Sequence, residues 1–597
     1  MFKNVHFLTA ENLKINGITD EYVRFVANDR LKKPEVWKKL VQPFYTREDS
    51  DGMWRGEFFG KEMRGAALAY AYTGDRELYA VITQAVKDIL AAQDEYGRIC
   101  TYQKDDEFLG WDIWCRKYVL TGLLHYYDVC EDESLKSQIL SALIKHADYI
   151  VSAIGRKEEN KKSITETSEW WGCVNSCTIL EPMLDLYKRT GKAEYKKFAE
   201  YIISTGGSSD CNFLELALEN KLMPYRYPVV KAYETMSYFE GLLAYYEITG
   251  EEKYLRAAIN FVDAVNSSDM TIIGCAGCTH ELFDNSSARQ TEYSEQIMQE
   301  TCVTVTWMRL SARLFFATGE PKYIDRLEKS GFNALYGSLN LNHSDHYNML
   351  DKKVVKAMTF DSYSPLYINS RGRGTGGYLE FRDGGYCGCC VAIGACGIAL
   401  MPLSAATSSA DGTVINYLFD GEIKTRSADG DRVTLTVKSG YPAVPDGKIT
   451  VGCDGKRKIG LFVRVPGWSG KILANGREYR GGYADLSGEY ENGAEITVEY
   501  FPELVVHRLN GKAAFTFGAI TLAGDEEKSD RALLKPISVS DKPAFVREKA
   551  RGYEIMRLSV ETKDGEKLLL TDYQSCGKNW RGDKNKITVW FNDKDNG

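Results

Sequence analysis

Two short segments hold residue types that can bind a metal and attack an electrophile. They are Glu300-Thr301-Cys302 and Tyr386-Cys387-Gly388-Cys389-Cys390, with Cys389 87 positions after Cys302. Val305, Met308, Ala312 and Phe315 follow Cys302 at helical spacing, which predicts a helix with Cys302 in its first turn, on the inward face, and Glu300 just before it. Cys389 and Cys390 precede the apolar run from Ile398 to Leu403, again near a helix start. A helix N-terminus stabilises anions, and zinc deprotonates a bound thiol outright. Two vicinal thiolates, a third from the other segment and one carboxylate would make a tetrahedral zinc shell. The residues alone leave other readings open. A Cys-Cys pair also serves as two small buried hydrophobes, vicinal cysteines are not the familiar Cys-x-x-Cys, and four protein ligands ordinarily close a zinc site as a structural one.

A third segment, Thr279-His280-Glu281, supplies a carboxylate that is either a proton donor or a solvated loop residue. Further candidates for the lining of a pocket are Lys61, Tyr118, Trp171, Lys231, His280 and Tyr386. Trp171, in Trp170-Trp171-Gly172-Cys173, reads either as a platform for the C–H face of a sugar or as ordinary core. Cys387 is a spare thiol beside the Cys-Cys pair.

The elements that must bring these residues together show in a recurring phrase: Thr73-Gly74, Thr190-Gly191, Thr249-Gly250 and Thr318-Gly319, each followed by acidic or basic residues and a Leu or Tyr. The spacings are 117, 59 and 69 residues, and a degenerate copy, Cys130 to Leu135, divides the long gap. Each copy reads as the turn of a helical hairpin, with Gly ending one helix and acidic residues starting the next. Five such hairpins, with helices near residues 19–41 and 390–408 as a sixth, predict a closed (α/α)6 barrel over residues 1–410, whose mouth is a natural pocket.

After about residue 410 the texture changes. Nine Asp-Gly or Asn-Gly pairs between Asp411 and Gly565 separate alternating stretches such as Arg432 to Val437, the pattern of hairpin turns and half-buried strands. This predicts a β-sandwich at 411–530 and a C-terminal β segment at 531–597 that completes or extends one, with Trp468 closing a sheet.

Composition bounds the function class. The chain has 597 residues, 44% hydrophobic and 26% charged, which suits a folded globular protein. A net charge of -8, with basic runs interleaved by Glu, argues against nucleic acid as a partner. No stretch has the eighteen apolar residues of a membrane span, and the first twenty lack the apolar run of a secretory signal, so a cytoplasmic protein with no membrane partner is expected. Fifteen cysteines then point to reduced thiols in core, metal or catalytic roles. The aromatic content of 12% suits a carbohydrate pocket, and a homodimer is compatible with all of this.

Glu300-Thr301-Cys302 with Arg309, Ala312, Thr318-Gly319 and Tyr323, the Cys389-Cys390 pair, and Arg464-Val-Pro-Gly-Trp468 together resemble glycoside hydrolase family 127, the β-L-arabinofuranosidases. The resemblance runs from Gly60-Lys61 to about residue 525. It implies an (α/α)6 barrel followed by β-sandwiches, zinc held by Glu300, Cys302, Cys389 and Cys390, Cys389 as nucleophile and Glu281 as acid/base. The implied activity is retaining, exo-acting release of a terminal β-linked L-arabinofuranose from an oligosaccharide or glycoside. The chain departs from the family where three sugar-contacting histidines are expected: Tyr118, Ser176 and Lys231 stand at or near those places, and Val391-Ala-Ile follows the Cys-Cys pair in place of Pro-Pro-Asn. Another furanose or modified sugar, or a non-catalytic carbohydrate-binding protein with structural zinc, are the alternatives.

Overall fold

The computed structural model describes residues 2, 4–277, 279, 281–292, 298–348, 352–356, 358–361, 363–374, 378–580 and 585–595. Helices α1 (Ile18–Val26) and α2 (Pro34–Thr46) lead into the hairpins α3 (Gly56–Thr73)/α4 (Arg76–Ala91) and α5 (Asp112–Val129)/α6 (Glu133–Ala153). The short α7 (Val174–Cys177) precedes the pair α8 (Leu180–Thr190)/α9 (Ala193–Ser204). After α10 (Phe213–Glu219) come α11 (Ala232–Thr249)/α12 (Glu252–Ser268), and after α13 (Ser286–Arg289) come α14 (Thr301–Thr318)/α15 (Pro321–Ser330). Helix α16 (Cys389–Leu403) is the last.

The hairpin turns form where the repeated phrase lies. Gly74, Gly191, Gly250 and Gly319 each cap a helix in the left-handed region, with φ between 63° and 70°, a conformation that costs glycine no Cβ clash. The degenerate copy has no glycine, and there Cys130 is extended while the Asp132 carboxylate caps α6 through the N–H groups of Ser134 and Leu135.

Helices α3, α5, α8, α11, α14 and α16 pack in that order into a ring that closes on α3. Outside it α4, α6, α9, α12 and α15 each pack on the inner helix that precedes them, and α1 packs on α16. The fold is therefore an (α/α)6 barrel. Because each inner helix returns through an outer one, the inner helices run the same way and their N-termini share one mouth. The tightest inner contact is α3 on α5, where a Cβ on Gly60 would lie 1.8 Å from the Tyr118 carbonyl oxygen.

The β part follows α16. Strands of residues 406–485 form a five-stranded and a seven-stranded sheet with Glu495–Tyr500, and Leu504–Leu509 opens an eight-stranded sheet that runs to Phe591–Asn592. Two strands from the very start of the chain belong to these sheets: His6–Phe7 pairs with Ala406–Ser409, and Leu13–Ile15 pairs with Gly421–Arg426. The sequence reading left them inside the helical segment. Trp468 does not simply close a sheet either, since its Nε1–H donates to Glu328 of α15 at 3.0 Å. Among the described residues no helix is long and apolar enough to cross a membrane, and no disulfide joins the described cysteines.

Candidate metal centre and active site

Each acidic donor enters the mouth from a strand-to-helix junction. Glu300 ends the strand Met298–Glu300, pairs across to Tyr363 in Tyr363–Pro365, and occupies the extended N-cap position of α14, so Cys302 falls in the first turn. Gly388 likewise ends the hairpin of Tyr378–Glu380 with Tyr386–Gly388, and Cys389 and Cys390 are the first two residues of α16. The two helix starts meet. The donor atoms of Glu300, Cys302, Cys389 and Cys390 all lie within 4.8 Å of one another, and all four residues are buried. Cys390 Sγ lies 3.4 Å from Glu300 Oε1 and 3.9 Å from Cys389 Sγ.

One oxygen of this cluster, Glu300 Oε2, is buried with no hydrogen-bond partner among the described residues. A buried carboxylate oxygen normally finds a donor, so its isolation amid three thiols fits a cation as the missing partner. The electrostatics agree. Burial, then the charges of Glu281 and Cys389, push the Glu300 carboxyl well above its usual range, and burial pushes the Cys302 and Cys390 thiols up. Only Cys389 goes the other way, held well below the ordinary thiol range by hydrogen bonds from Cys302 and Cys390 and by the Lys61 and Lys231 cations. Four acidic groups in one small volume thus support a single thiolate by themselves; ionising the rest takes a bound metal ion.

Two buried lysines flank the cluster. Lys61, on the second turn of α3, lies 2.9 Å from Glu57 Oε1 and 3.8 Å from Cys302 Sγ, with its ammonium 4.5 Å from the Tyr233 ring centroid and 5.2 Å from that of Tyr118. Burial opposes its charge, but Cys302 and Glu57 together outweigh burial and hold it protonated. Trp114 donates to the other Glu57 oxygen, and the hydroxyls of Tyr118 and Tyr233 are hydrogen-bonded to each other.

Lys231 stands immediately before α11 and donates to Glu281, with Glu234 Oε1 3.9 Å away. The backbone fixes this pair: Ala232 N–H donates to Glu281 O at 2.7 Å, and Phe283 N–H donates to Val230 O at 2.8 Å. The Glu281 side chain is 21% exposed, so it faces the mouth while remaining electrostatically coupled to Glu300. Burial raises Glu234 to about 7 against the pull of Lys231.

The other sequence candidates fall as follows. Trp171 is 37% exposed, with the Lys231 ammonium 5.7 Å from its ring centroid. Tyr386 packs on Val355, Met358, Tyr378 and Val391, on the hairpin that leads into α16. Ser176 accepts a hydrogen bond from Thr167 at 2.8 Å. Cys387 turns to Arg30, whose Nη2 lies 3.3 Å from its sulfur, and is outside the donor cluster. His280 lies outside the described residues. Sequence reading missed Glu57, Trp114, Tyr233 and Glu234. The helical spacings Glu57/Lys61, Trp114/Tyr118 and Lys231/Glu234 were the available signal, because residues three or four apart share a helix face.

Residues 4–367 match the family described as the beta-L-arabinofuranosidase, GH127 catalytic domain, and residues 413–501 match the GH127 middle domain. Among solved structures, a GH127 beta-arabinofuranosidase is 17% identical with a TM-score of 0.74, covering 99% of this chain and 98% of that one. A GH127 beta-L-arabinofuranosidase from Geobacillus stearothermophilus T6 is also 17% identical, with a TM-score of 0.72 and coverage of 99% and 100%. A third, titled only as a glycoside hydrolase, is 15% identical with a TM-score of 0.69, covering 99% and 98%. These structural likenesses are of fold. No curated protein matches.

Proposed function

The chain belongs to the GH127 β-L-arabinofuranosidase family and is thus a glycoside hydrolase, and from that premise we propose that it is a retaining, exo-acting enzyme releasing a terminal β-linked L-arabinofuranose. The observation that carries this reading is the buried quartet of Glu300, Cys302, Cys389 and Cys390 with Glu281 beside it at the barrel mouth. Glu300, Cys302, Cys389 and Cys390 would hold a zinc ion, which when bound keeps the thiolates ionised at neutral pH.

In the first step Cys389 Sγ attacks the anomeric carbon while the Glu281 carboxyl gives its proton to the leaving oxygen. The C–O bond breaks, a C–S bond forms, and the aglycone departs as an alcohol. In the second step Glu281 takes a proton from water, whose oxygen displaces Cys389 Sγ, restoring the thiolate and the acid. Two inversions give net retention. Lys61 offsets negative charge beside Cys302, and Lys231 donates to Glu281 and so fixes where that side chain sits.

A second reading has the same centre acting on another furanose or a modified sugar. The observation favouring it is that Tyr118, Ser176 and Lys231 are already engaged with Tyr233, Thr167 and Glu281 where the family resemblance leads one to expect histidines on the sugar. Turnover of a panel of aryl furanosides and pyranosides separates the two readings. Metal analysis of the folded protein should find one zinc per chain, and Cys389→Ala and Glu281→Gln should each abolish turnover with the fold retained. Undiminished turnover in Cys389→Ala would reject it as nucleophile.

A further inference from the structure

The loop that carries Trp171 is strained. Trp171, Gly172 and Cys173 take left-handed backbone angles in succession, with φ of 50°, 58° and 62°. Glycine accepts this region, whereas a bulky residue there is an outlier that lasts only where its surroundings impose it. Here they do. Ser209 N–H donates to Gly172 O at 2.8 Å, Cys173 N–H donates to Trp170 O at 2.9 Å, and the Cys173 thiol donates to Ser168 O at 2.8 Å. A Cβ on Gly172 would lie 2.3 Å from Ser208 Oγ, so the neighbouring loop presses on the turn. Asn175 donates to Gly110 O at 3.1 Å and fastens the loop where α5 begins, at the mouth.

The strained turn holds a large apolar ring partly in the open: Trp171 keeps 37% of its surface exposed. Its place is set by Lys231, whose ammonium lies 5.7 Å from the indole centroid and also donates to Glu281. One lysine therefore links the exposed ring to the carboxylate that would protonate the leaving oxygen.

We propose that Trp171 is the stacking platform for the leaving-group sugar, on the aglycone side of the scissile bond. This rests on the assignment of Glu281 as acid/base, because the leaving sugar must sit against that carboxylate. A sugar ring offers an apolar C–H face to an indole held in a fixed orientation, and the fixed orientation reduces the entropy lost on binding. The ligand class is a furanose or pyranose unit of a longer glycan, so the enzyme is built for di- and oligosaccharides over glycosides with a small aglycone.

The test compares wild type, Trp171→Ala and Trp171→Phe on methyl β-L-arabinofuranoside and on a β-L-arabinofuranosyl disaccharide, with circular dichroism as the fold check. In Trp171→Ala, KM for the disaccharide should rise about tenfold while kcat/KM for the methyl glycoside changes less than about threefold, and Trp171→Phe should recover most of the loss. Equal losses on both substrates, or none on the disaccharide, overturn the proposal. Should wild type cleave neither sugar, the hydrolase reading fails for arabinofuranose, and disaccharide titration followed by tryptophan fluorescence decides the platform separately. Weaker binding by Trp171→Ala upholds it; equal binding by the two proteins, or none by wild type, overturns it.

Discussion

At the scale of single residues, the centre is an exercise in charge crowding. Cys389 is the one thiol of the cluster driven toward ionisation, and two of the causes are the ammonium groups of Lys61 and Lys231. A thiol whose pKa is lowered gains less ionisation between pH 7 and 9 than an ordinary one. Alkylation of Cys389 by iodoacetamide in chelator-treated protein, followed by peptide mass spectrometry, should therefore climb less steeply over that range than alkylation of an ordinary thiol. An ordinary thiol would speed up about tenfold per pH unit below its pKa. In Lys61→Met one of the two cations is gone, the Cys389 pKa rises, and alkylation should be slower at pH 7 and steeper with pH than in wild type. A rate in wild type that climbs steeply from pH 7 to 9 would contradict this account.

The same crowding would make an ion bound by the quartet a contributor to stability. Without it, Glu300 and the Cys302 and Cys390 thiols must stay protonated in a buried space. Chelation at pH 7 is expected to lower Tm, with the shift growing as pH rises, because the metal competes with protons for the same donors. Thermal scans of holo and chelated protein at pH 6 and 8 check the sign; a larger shift at pH 6 would be the wrong one.

At the scale of elements, the mouth depends on how closely the inner helices approach. A Cβ on Gly60 would sit 1.8 Å from the Tyr118 carbonyl oxygen, so Gly60→Ala must push α3 away from α5. Overpacking of this kind costs about 1–3 kcal/mol. Lys61 is the next residue, and displacing it from Glu57 and Cys302 should reduce kcat/KM by more than the stability loss would suggest. Gly191→Ala is the control: nothing lies within 4 Å of its Cβ, its φ is +67°, and it should lose about 1–2 kcal/mol from backbone strain alone with unchanged kcat/KM. Urea unfolding and steady-state kinetics on both variants would expose the account as wrong if Gly60→Ala behaved like Gly191→Ala.

The elements also show why some of the fold was legible in the sequence. The hairpin turns were, because a helix that ends in a left-handed residue selects glycine and the next helix selects an acidic cap, as at Gly74-Asp75. The donor quartet was partly legible, because Glu300, Cys302, Cys389 and Cys390 all sit at helix starts that local periodicity reveals. The contact between Arg30 and Cys387 was not, since 357 residues separate them and neither side chain carries a local signal. The strands His6–Phe7 and Leu13–Ile15 are two and three residues long, too short for alternation to register, and their partners lie some four hundred residues away. The strained turn at Trp171 was illegible for a different reason: its angles are imposed by hydrogen bonds with the residues around Ser208 and Ser209, which only the folded chain brings near.

At the scale of the whole molecule, the barrel and the sheets are joined by buried charge. Arg464, 1% exposed at the end of Leu461–Arg464, reaches α15 with Nη1 2.7 Å from Asp325 Oδ1 and Nη2 2.8 Å from Glu328 Oε2. Trp468 Nε1–H donates to the same Glu328 oxygen at 3.0 Å, and Gly467 N–H to Asp325 at 3.2 Å. The Arg-Val-Pro-Gly-Trp phrase is thus a dock for an outer helix of the barrel. Arg464→Met leaves Glu328 and Asp325 without their cation, and breaking a buried pair in this way costs about 3–5 kcal/mol. The cost must depend on pH. Burial already raises Glu328 to about 6, with Arg464 the main opposing influence, so removing Arg464 raises it further. A carboxyl whose native pKa lies above its unfolded value binds more protons in the native state between those two values, so stability falls as pH climbs through that window. The variant's window extends above pH 6, where that of wild type ends. Denaturant unfolding should therefore find Arg464→Met closer to wild type at pH 5 than at pH 7.5. A pH-independent gap would mean that Arg464 holds the domains by packing, with Glu328 neutral throughout.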